Sequence, residues 1–119
     1  MKKRSLNSEI YERQAEICSA LASPIRLMIL DLLAEEEATA SGLLKELKIP
    51  KTNLSQHLKV LRASGILKVR SEGRFQYLSL AIPEVKQACA LVRKVLASQM
   101  NKQMSQQAEL SKALRTNFS

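Results

Sequence analysis

The sequence predicts a mainly α-helical fold with one small β-hairpin. Apolar residues recur at helical spacing over most of the 119 residues, whereas segments 66–71 and 75–80 alternate apolar and polar side chains around the turn Glu72-Gly73-Arg74. The chain has only 3 glycines and 3 prolines, which favours long helices over a many-stranded sheet. Hydrophobic residues make up 45% of the chain and aromatic residues only 3%, so we expect a single aliphatic core.

The first two predicted helices differ in how their apolar residues are distributed. Residues 8–22 carry an apolar stripe on one side, as an amphipathic helix does. The next helix follows the N-cap residue Ser23, begins at Pro24 and continues to about residue 34. It is apolar almost all round, and such a helix is expected at the centre of a domain.

The next two helices predict a helix-turn-helix. A short helix at residues 40–47 is separated from a helix at 51–64 by Lys48-Ile49-Pro50, which is a tight connector because proline disfavours a helical residue before it. Gly65 ends the second of these helices. Its inward stripe is formed by Leu54, Leu58 and Leu61. A short helix, a tight turn and a helix with an exposed polar face make a helix-turn-helix, and the hairpin that follows is then its wing.

The chain is expected to divide into three segments. Residues 1–7 form a basic arm, residues 8–100 form the winged helix-turn-helix domain, and residues 101–119 form a polar tail. The last helix opens at Pro83, and we expect it to fray beyond Asn101, where the sequence turns polar.

Polar and basic side chains on the fourth helix and the hairpin predict a DNA-binding surface. Short hydrogen-bonding groups and a cation on the exposed helix face suit base edges and phosphates in the major groove. Arginines of the hairpin can reach the backbone or an adjacent minor groove. The predicted contacts are Lys51, Thr52, Asn53, Ser55, Gln56, His57, Lys59, Arg70, Arg74 and Tyr77. A solvated helix face carries similar residues, so the helix alone does not establish DNA binding.

The distribution of charge supports a polyanionic partner. The net charge is +8, and it is divided as −2 over residues 1–44, +6 over residues 45–80 and +4 over residues 81–119. The positive excess is largest where the helix-turn-helix and the hairpin are predicted. This coincidence favours double-stranded DNA as the partner.

Three segments resemble the ArsR/SmtB family of bacterial repressors. LASPIRLMIL at residues 21–30 resembles the family's second helix, NLSQHLKVLRASGIL at 53–67 its recognition helix, and GRFQY at 73–77 its wing. The resemblance covers roughly residues 10–97. It implies a homodimer formed mainly by the first and last helices, with one recognition helix on each half of a palindromic operator. It also implies repression that an inducer relieves.

The metal sites that the resemblance implies are not matched. The family's Cys-x-Cys would align with Thr39 and Ser41, and its last-helix site needs a carboxylate and histidines, whereas His57 is the single histidine of this chain. We therefore expect neither a metal site nor a cofactor. His57 is expected to be packed or to touch a phosphate.

Cys18 and Cys89 are the candidate sensing residues. Both lie on apolar stripes, where a cysteine can simply be a small buried hydrophobic residue. The resemblance places both on the dimer helices, where pairing, persulfide formation or arsenite binding would alter the spacing of the recognition helices. Thiol-sensing family members also use two cysteines, although their second-helix cysteine would fall at about Asp31 here. The first hypothesis is a redox or sulfur sensor, and an arsenite-type sensor is the second.

Other classes of protein are disfavoured. No apolar run approaches the roughly 18 residues of a membrane span, and no signal core follows the basic N-terminus, so a cytoplasmic protein is expected. No glycine-rich phosphate loop, nucleophile–histidine pair or paired carboxylates indicate an enzyme. A winged helix used for protein–protein contact is the remaining alternative. Its exposed face should be more apolar or acidic than Thr52, Asn53, Gln56 and Lys59.

Overall fold

In the computed structural model, which describes residues 5–118, the chain folds into five α-helices and one antiparallel β-hairpin. The helices are α1 (Ser8–Leu21), α2 (Pro24–Glu35), α3 (Ala40–Leu47), α4 (Lys51–Ala63) and α5 (Glu84–Phe118), and the strands are β1 (Leu67–Glu72) and β2 (Phe75–Leu80). The predicted fold class and element order are confirmed. Residues 1–4 of the predicted basic arm, and Ser119 at the end of the predicted tail, lie outside the described residues.

Short polar residues begin the first three helices. The Asn7 side chain accepts a hydrogen bond from the backbone N–H of Glu9, at 3.0 Å. The hydroxyl oxygens of Ser23 and Thr39 each accept a hydrogen bond from the backbone N–H three residues later in the chain. The donors are Arg26 at 3.4 Å and Gly42 at 3.1 Å. These caps satisfy backbone donors that have no partner within the helix, and they fix where each helix starts.

Two residues in the left-handed region end α3 and α4. Lys48, at φ 53°, donates its backbone N–H to Leu44 and reverses the chain into the extended Pro50. Gly65, at φ 79°, turns the chain out of α4 so that the N–H of Ile66 reaches the Leu61 carbonyl at 3.0 Å. The predicted connector between α3 and α4 is confirmed, and its tightness comes from this backbone conformation.

The core of the unit that contains residues up to Lys86 is aliphatic. Its buried residues come from α1 to α4, the hairpin and the start of α5, and they are Ala20, Ile29, Leu30, Leu33, Leu43, Leu54, Leu61, Ile66, Leu67, Leu78 and Val85. Leu54 and Leu61 confirm the inward stripe of α4, while Leu58 is half-buried. The surrounding elements α2, α3 and β1 all contact α4.

The expectation that α2 lies at the centre of the domain holds for one face of this helix, which packs on α1, α3, α4 and β2. Ile29, Leu30 and Leu33 form its buried face, but Leu27 is 40% exposed and Met28 is 51% exposed. The pattern of apolar residues indicates which side chains are more stable when buried. It does not say whether they are buried in the chain's own core or against another chain.

The hairpin is held at its turn and along β2. Gly73, at φ 60°, lies between the last strand pair, Glu72 and Phe75. A third segment joins β2, because Ala38 and Leu78 exchange backbone hydrogen bonds of 3.1 and 2.8 Å. This bridge ties the wing to the chain just before α3.

The unit that begins at Gln87 consists of α5, which is 35 residues long from its start at Glu84. The prediction that it frays beyond Asn101 is wrong, since it continues to Phe118. Residues 101–118 contain no glycine or proline and are rich in Gln, Lys, Ala and Ser, and most of these are compatible with a helix in water.

No single helix of residues 5–118 has both the length and the apolar character needed to cross a membrane. α1 and α2 reach that composition only when they are counted together across a bend of 86°.

Replacing Leu61 should show how much the core under α4 contributes to stability. We expect Leu61→Ala to lower the free energy of unfolding by about 2–5 kcal/mol in urea denaturation, because a fully buried side chain leaves a cavity. Val60→Ala is the matched control on the same helix, since Val60 is 39% exposed, and it should change stability by less than about 0.5 kcal/mol. Equal losses for the two variants would contradict the packing described above.

Candidate nucleic-acid interface

The outward face of α4 carries three polar side chains in register. Thr52, Gln56 and Lys59 stand at i, i+4 and i+7, and all three are exposed. They lie opposite the buried Leu54 and Leu61, because a helix has about 3.6 residues per turn. The core contacts of α4 therefore determine which side chains it presents to a partner.

The remaining predicted residues of α4 lie around this face. Lys51, Asn53 and Ser55 are exposed, and His57 is half-buried at the edge of the apolar stripe. Arg62 was missed by the sequence analysis, although it is exposed and follows Lys59 by one turn. Arg62 also borders a recess of about 110 Å³ between α4 and the hairpin, together with Leu58, Val69 and Gln76 among others. The basic side of α4 therefore extends toward the wing.

Arg70 is held by protein groups on several sides. Its Nη2 and Nε donate to the two carboxylate oxygens of Glu37 at 2.6 and 3.4 Å, and its Nη1 donates to Glu72 at 2.5 Å. The guanidinium also lies 4.7 Å from the centroid of the half-buried Tyr77 ring, its partner across the strands. The hydrogen bonds that Arg70 donates to Glu37 and, to a lesser extent, to Glu72 raise the pKa of Arg70 above its ordinary value.

Arg70 and Arg74 are both exposed, and Arg74 lies at the hairpin turn. Within residues 5–118 Arg74 makes no ion pair. Its neighbour Phe75 is 54% exposed, and the Phe75 ring centroid lies 6.5 Å from that of Tyr77. The tip of the wing therefore presents an exposed cation and an exposed aromatic ring.

The sequence analysis missed the acidic partners of Arg70. Glu37 belongs to a run of three glutamates that follows the apolar part of α2, and it pairs with an arginine 33 residues away. Glu72 lies in the hairpin two residues from Arg70, at a spacing that puts both side chains on one face of a strand. Only the Glu72 contact had a local signal in the sequence.

The two cysteines differ in exposure. Cys18 is exposed on α1, and Cys89 is half-buried on α5. Both are thiols rather than halves of a disulfide. The described residues contain no group of three or more His, Cys, Asp or Glu that is arranged to hold a metal ion.

Large apolar side chains are exposed on two helices in particular. On α1 they are Ile10, Tyr11 and Ile17, and in the first half of α5 they are Leu91, Val92, Val95 and Leu96. A single copy of the chain therefore leaves an unusual amount of apolar surface in water on α1 and on α5.

Comparison with known proteins places these features in a regulatory family. A family model described as a helix-turn-helix domain matches residues 21–70. The chain is 38% identical over 89 residues to the uncharacterized HTH-type transcriptional regulator Rv0081 of Mycobacterium tuberculosis, a match that covers 74% of this chain and 78% of that protein. It is 37% identical over 70 residues to a transcriptional repressor SmtB homolog of Synechocystis, covering 59% of this chain and 53% of the relative.

Solved structures agree in fold. The crystal structure of Rv0081 matches with a TM-score of 0.74 and 35% identity, over 80% of this chain and 96% of that one. The solution structure of a homodimeric winged helix-turn-helix domain, Mb0332 of Mycobacterium bovis, matches with a TM-score of 0.73 and 30% identity, over 86% of this chain and 95% of that one. The Mb0332 protein is described as a possible ArsR-family transcriptional regulator.

Proposed function

The chain belongs to the ArsR/SmtB family of winged helix-turn-helix transcriptional regulators, which bind DNA and are not enzymes, and on this basis we propose that it is a homodimeric repressor of a palindromic operator. The observation that carries the proposal is the exposed Thr52–Gln56–Lys59 face of α4, held outward by the burial of Leu54 and Leu61. As a DNA-binding regulator, it is expected to act in the cytoplasm.

In the proposed complex α4 enters the major groove. Thr52, Asn53, Ser55 and Gln56 supply the hydrogen-bonding groups that read base edges, and Lys51 and Lys59 supply charge to the phosphates. Arg74, exposed at the wing tip, lies where the wing meets the backbone or the adjacent minor groove. His57 is half-buried and contributes at most one phosphate contact.

The homodimer is supported by the exposed apolar side chains of α1 and α5. Covering these residues with a second copy would remove apolar surface from water, which is the main favourable term in protein association. The homodimeric Mb0332 domain has the same fold. A two-fold dimer presents two copies of α4 to two half-sites of one operator.

Release of the operator is proposed to follow a thiol-reactive signal at Cys18 and Cys89. Cys18 is exposed in the single chain and lies beside Ile17, one of the apolar residues that the proposed dimer covers. Cysteines on α1 and α5 stand on the helices proposed to form the dimer, where a covalent change alters the spacing of the two α4 helices. A thiophilic metalloid such as arsenite is the second candidate for the inducer.

Binding to duplex DNA of random sequence should depend steeply on salt. If Lys51, Lys59 and Arg74 of both subunits each neutralise one phosphate, affinity should fall by about 10³-fold between 50 and 200 mM salt. Fluorescence anisotropy with labelled duplex measures this directly. An affinity that does not change with salt would instead favour a winged helix used for protein–protein contact.

Gln56 and Arg74 should have separable effects. Gln56→Ala should reduce discrimination at one base pair of each half-site by roughly 1–3 kcal/mol, because a base-edge hydrogen bond is lost. Arg74→Ala should weaken binding to operator and random duplex by equal factors. Competition assays on both DNAs check this division, and equal losses on the two DNAs for both variants would contradict it.

Serine variants test the sensing proposal. Wild-type protein treated with peroxide or polysulfide should release its operator, whereas Cys18→Ser and Cys89→Ser proteins should remain bound, because serine cannot be oxidised in the same way. The untreated variants should bind as wild type does. Release of all three proteins by the same treatment would exclude these cysteines as the sensor, and release by arsenite alone would favour the metalloid.

A further inference from the structure

Glu37 and Ala38 together fix both strands of the wing. The Glu37 carboxylate accepts two hydrogen bonds from Arg70 of β1, at 2.6 and 3.4 Å. The backbone of Ala38 exchanges two hydrogen bonds with Leu78 of β2. These two residues directly precede Thr39, the N-cap of α3. The hairpin is thus attached through two consecutive residues to the segment that immediately precedes the helix-turn-helix.

Both carboxylate oxygens of Glu37 contact the Arg70 guanidinium, and this geometry fixes the orientation of the arginine side chain. A guanidinium that is bound by both oxygens of a carboxylate is fixed in direction as well as in distance. Glu72 and the Tyr77 ring hold the same guanidinium from within the hairpin. The Glu37–Arg70 pair is exposed, with 48% of the Arg70 side chain and 42% of the Glu37 side chain accessible to solvent, so its distinguishing feature is the two-oxygen geometry. Glu9 and Arg13 on α1, which are 70% and 76% exposed, form a single contact of 3.2 Å, as an ordinary surface pair does.

We propose that Glu37 is a positioning residue for DNA binding, which acts through Arg70 to set the placement of the wing relative to α4. Arg70 then serves as the anchor of the wing, and Arg74 is the cation that the anchored wing delivers to DNA. This inference rests on the proposed DNA-binding function. On this proposal a negatively charged side chain, Glu37, favours binding to DNA, although DNA is itself negatively charged.

Whether removal of the Glu37 carboxylate raises or lowers the affinity for DNA distinguishes a positioning role from simple charge repulsion. Removing a carboxylate near a DNA-binding surface ordinarily raises affinity, since it removes repulsion of the phosphates. If Arg70 contacted DNA itself, loss of Glu37 would also release that arginine and raise affinity. A fall in affinity on loss of Glu37 is therefore expected if its carboxylate positions Arg70 and, through Arg70, the wing.

The test compares Glu37→Gln with Glu36→Gln on random-sequence duplex DNA at fixed salt. Both variants remove one negative charge from the same short segment, but within residues 5–118 Glu36 makes no ion pair. We expect Glu37→Gln to weaken binding about ten-fold, comparable to the loss of a phosphate contact from each subunit. Glu36→Gln should leave affinity unchanged or slightly raised. Equal or tighter binding by Glu37→Gln than by wild type would overturn the proposal.

A second pair of variants establishes the route through Arg70. In an Arg70→Ala background, Glu37→Gln should cause no further loss and should show the small gain expected of charge removal. A further ten-fold loss in that background would show that Glu37 acts elsewhere, and it would overturn the proposal. Melting temperatures of all variants, measured beside the binding curves, separate wing placement from unfolding.

The experiment distinguishes failure of the proposed DNA-binding function from failure of the proposed role of Glu37. If wild-type protein shows no salt-dependent binding to duplex DNA, the proposed function and the role of Glu37 are both wrong. If wild type binds and Glu37→Gln binds equally well, only the positioning role is wrong.

Discussion

Burial of Leu54 and Leu61 is the constraint on which the rest of the DNA-facing surface depends. Both side chains are essentially inaccessible to water, and α4 contacts α2, α3 and β1 around them. Because the helical repeat is fixed, holding these two leucines inward leaves no freedom in which residues point outward. The chemical character of the candidate interface is therefore set by an aliphatic core that never touches the partner.

What the sequence predicted well was local. The stripe of α4, the turn at Lys48 and the hairpin about Gly73 are each specified within a few residues, by periodicity or by backbone conformation. The Ala38–Leu78 bridge and the Glu37–Arg70 pair join segments far apart in the chain, and no local pattern indicates which glutamate meets which arginine. Arg70 was predicted to contact DNA because it lies near the hairpin turn, and the structure adds that its guanidinium also binds two carboxylates.

Helices α2 and α5 show that a sequence pattern does not fix which side chains are covered or where a helix ends. In α2 the apolar residues outnumber the positions that the chain's own core covers, so Leu27 and Met28 remain exposed. In α5 the polar composition after Asn101 suggested fraying, yet the helix continues for another 17 residues to Phe118. Hydrophobicity tells how much surface avoids water, and helix propensity tells what the backbone tolerates, so neither quantity alone fixes the extent of an element.

Gly65 and Gly73 flank β1 and share a property that concerns handedness. Both have positive φ, 79° and 60°, and a Cβ atom built on either would meet nothing within 4 Å. The preference for glycine at the two positions therefore comes from the chirality of the amino acid and not from lack of room. A D-alanine, whose favoured φ is positive, would fit both places and would also restrict the unfolded chain. At the turns on either side of β1, glycine is thus favoured because the backbone has a positive φ, and not because a side chain would lack space.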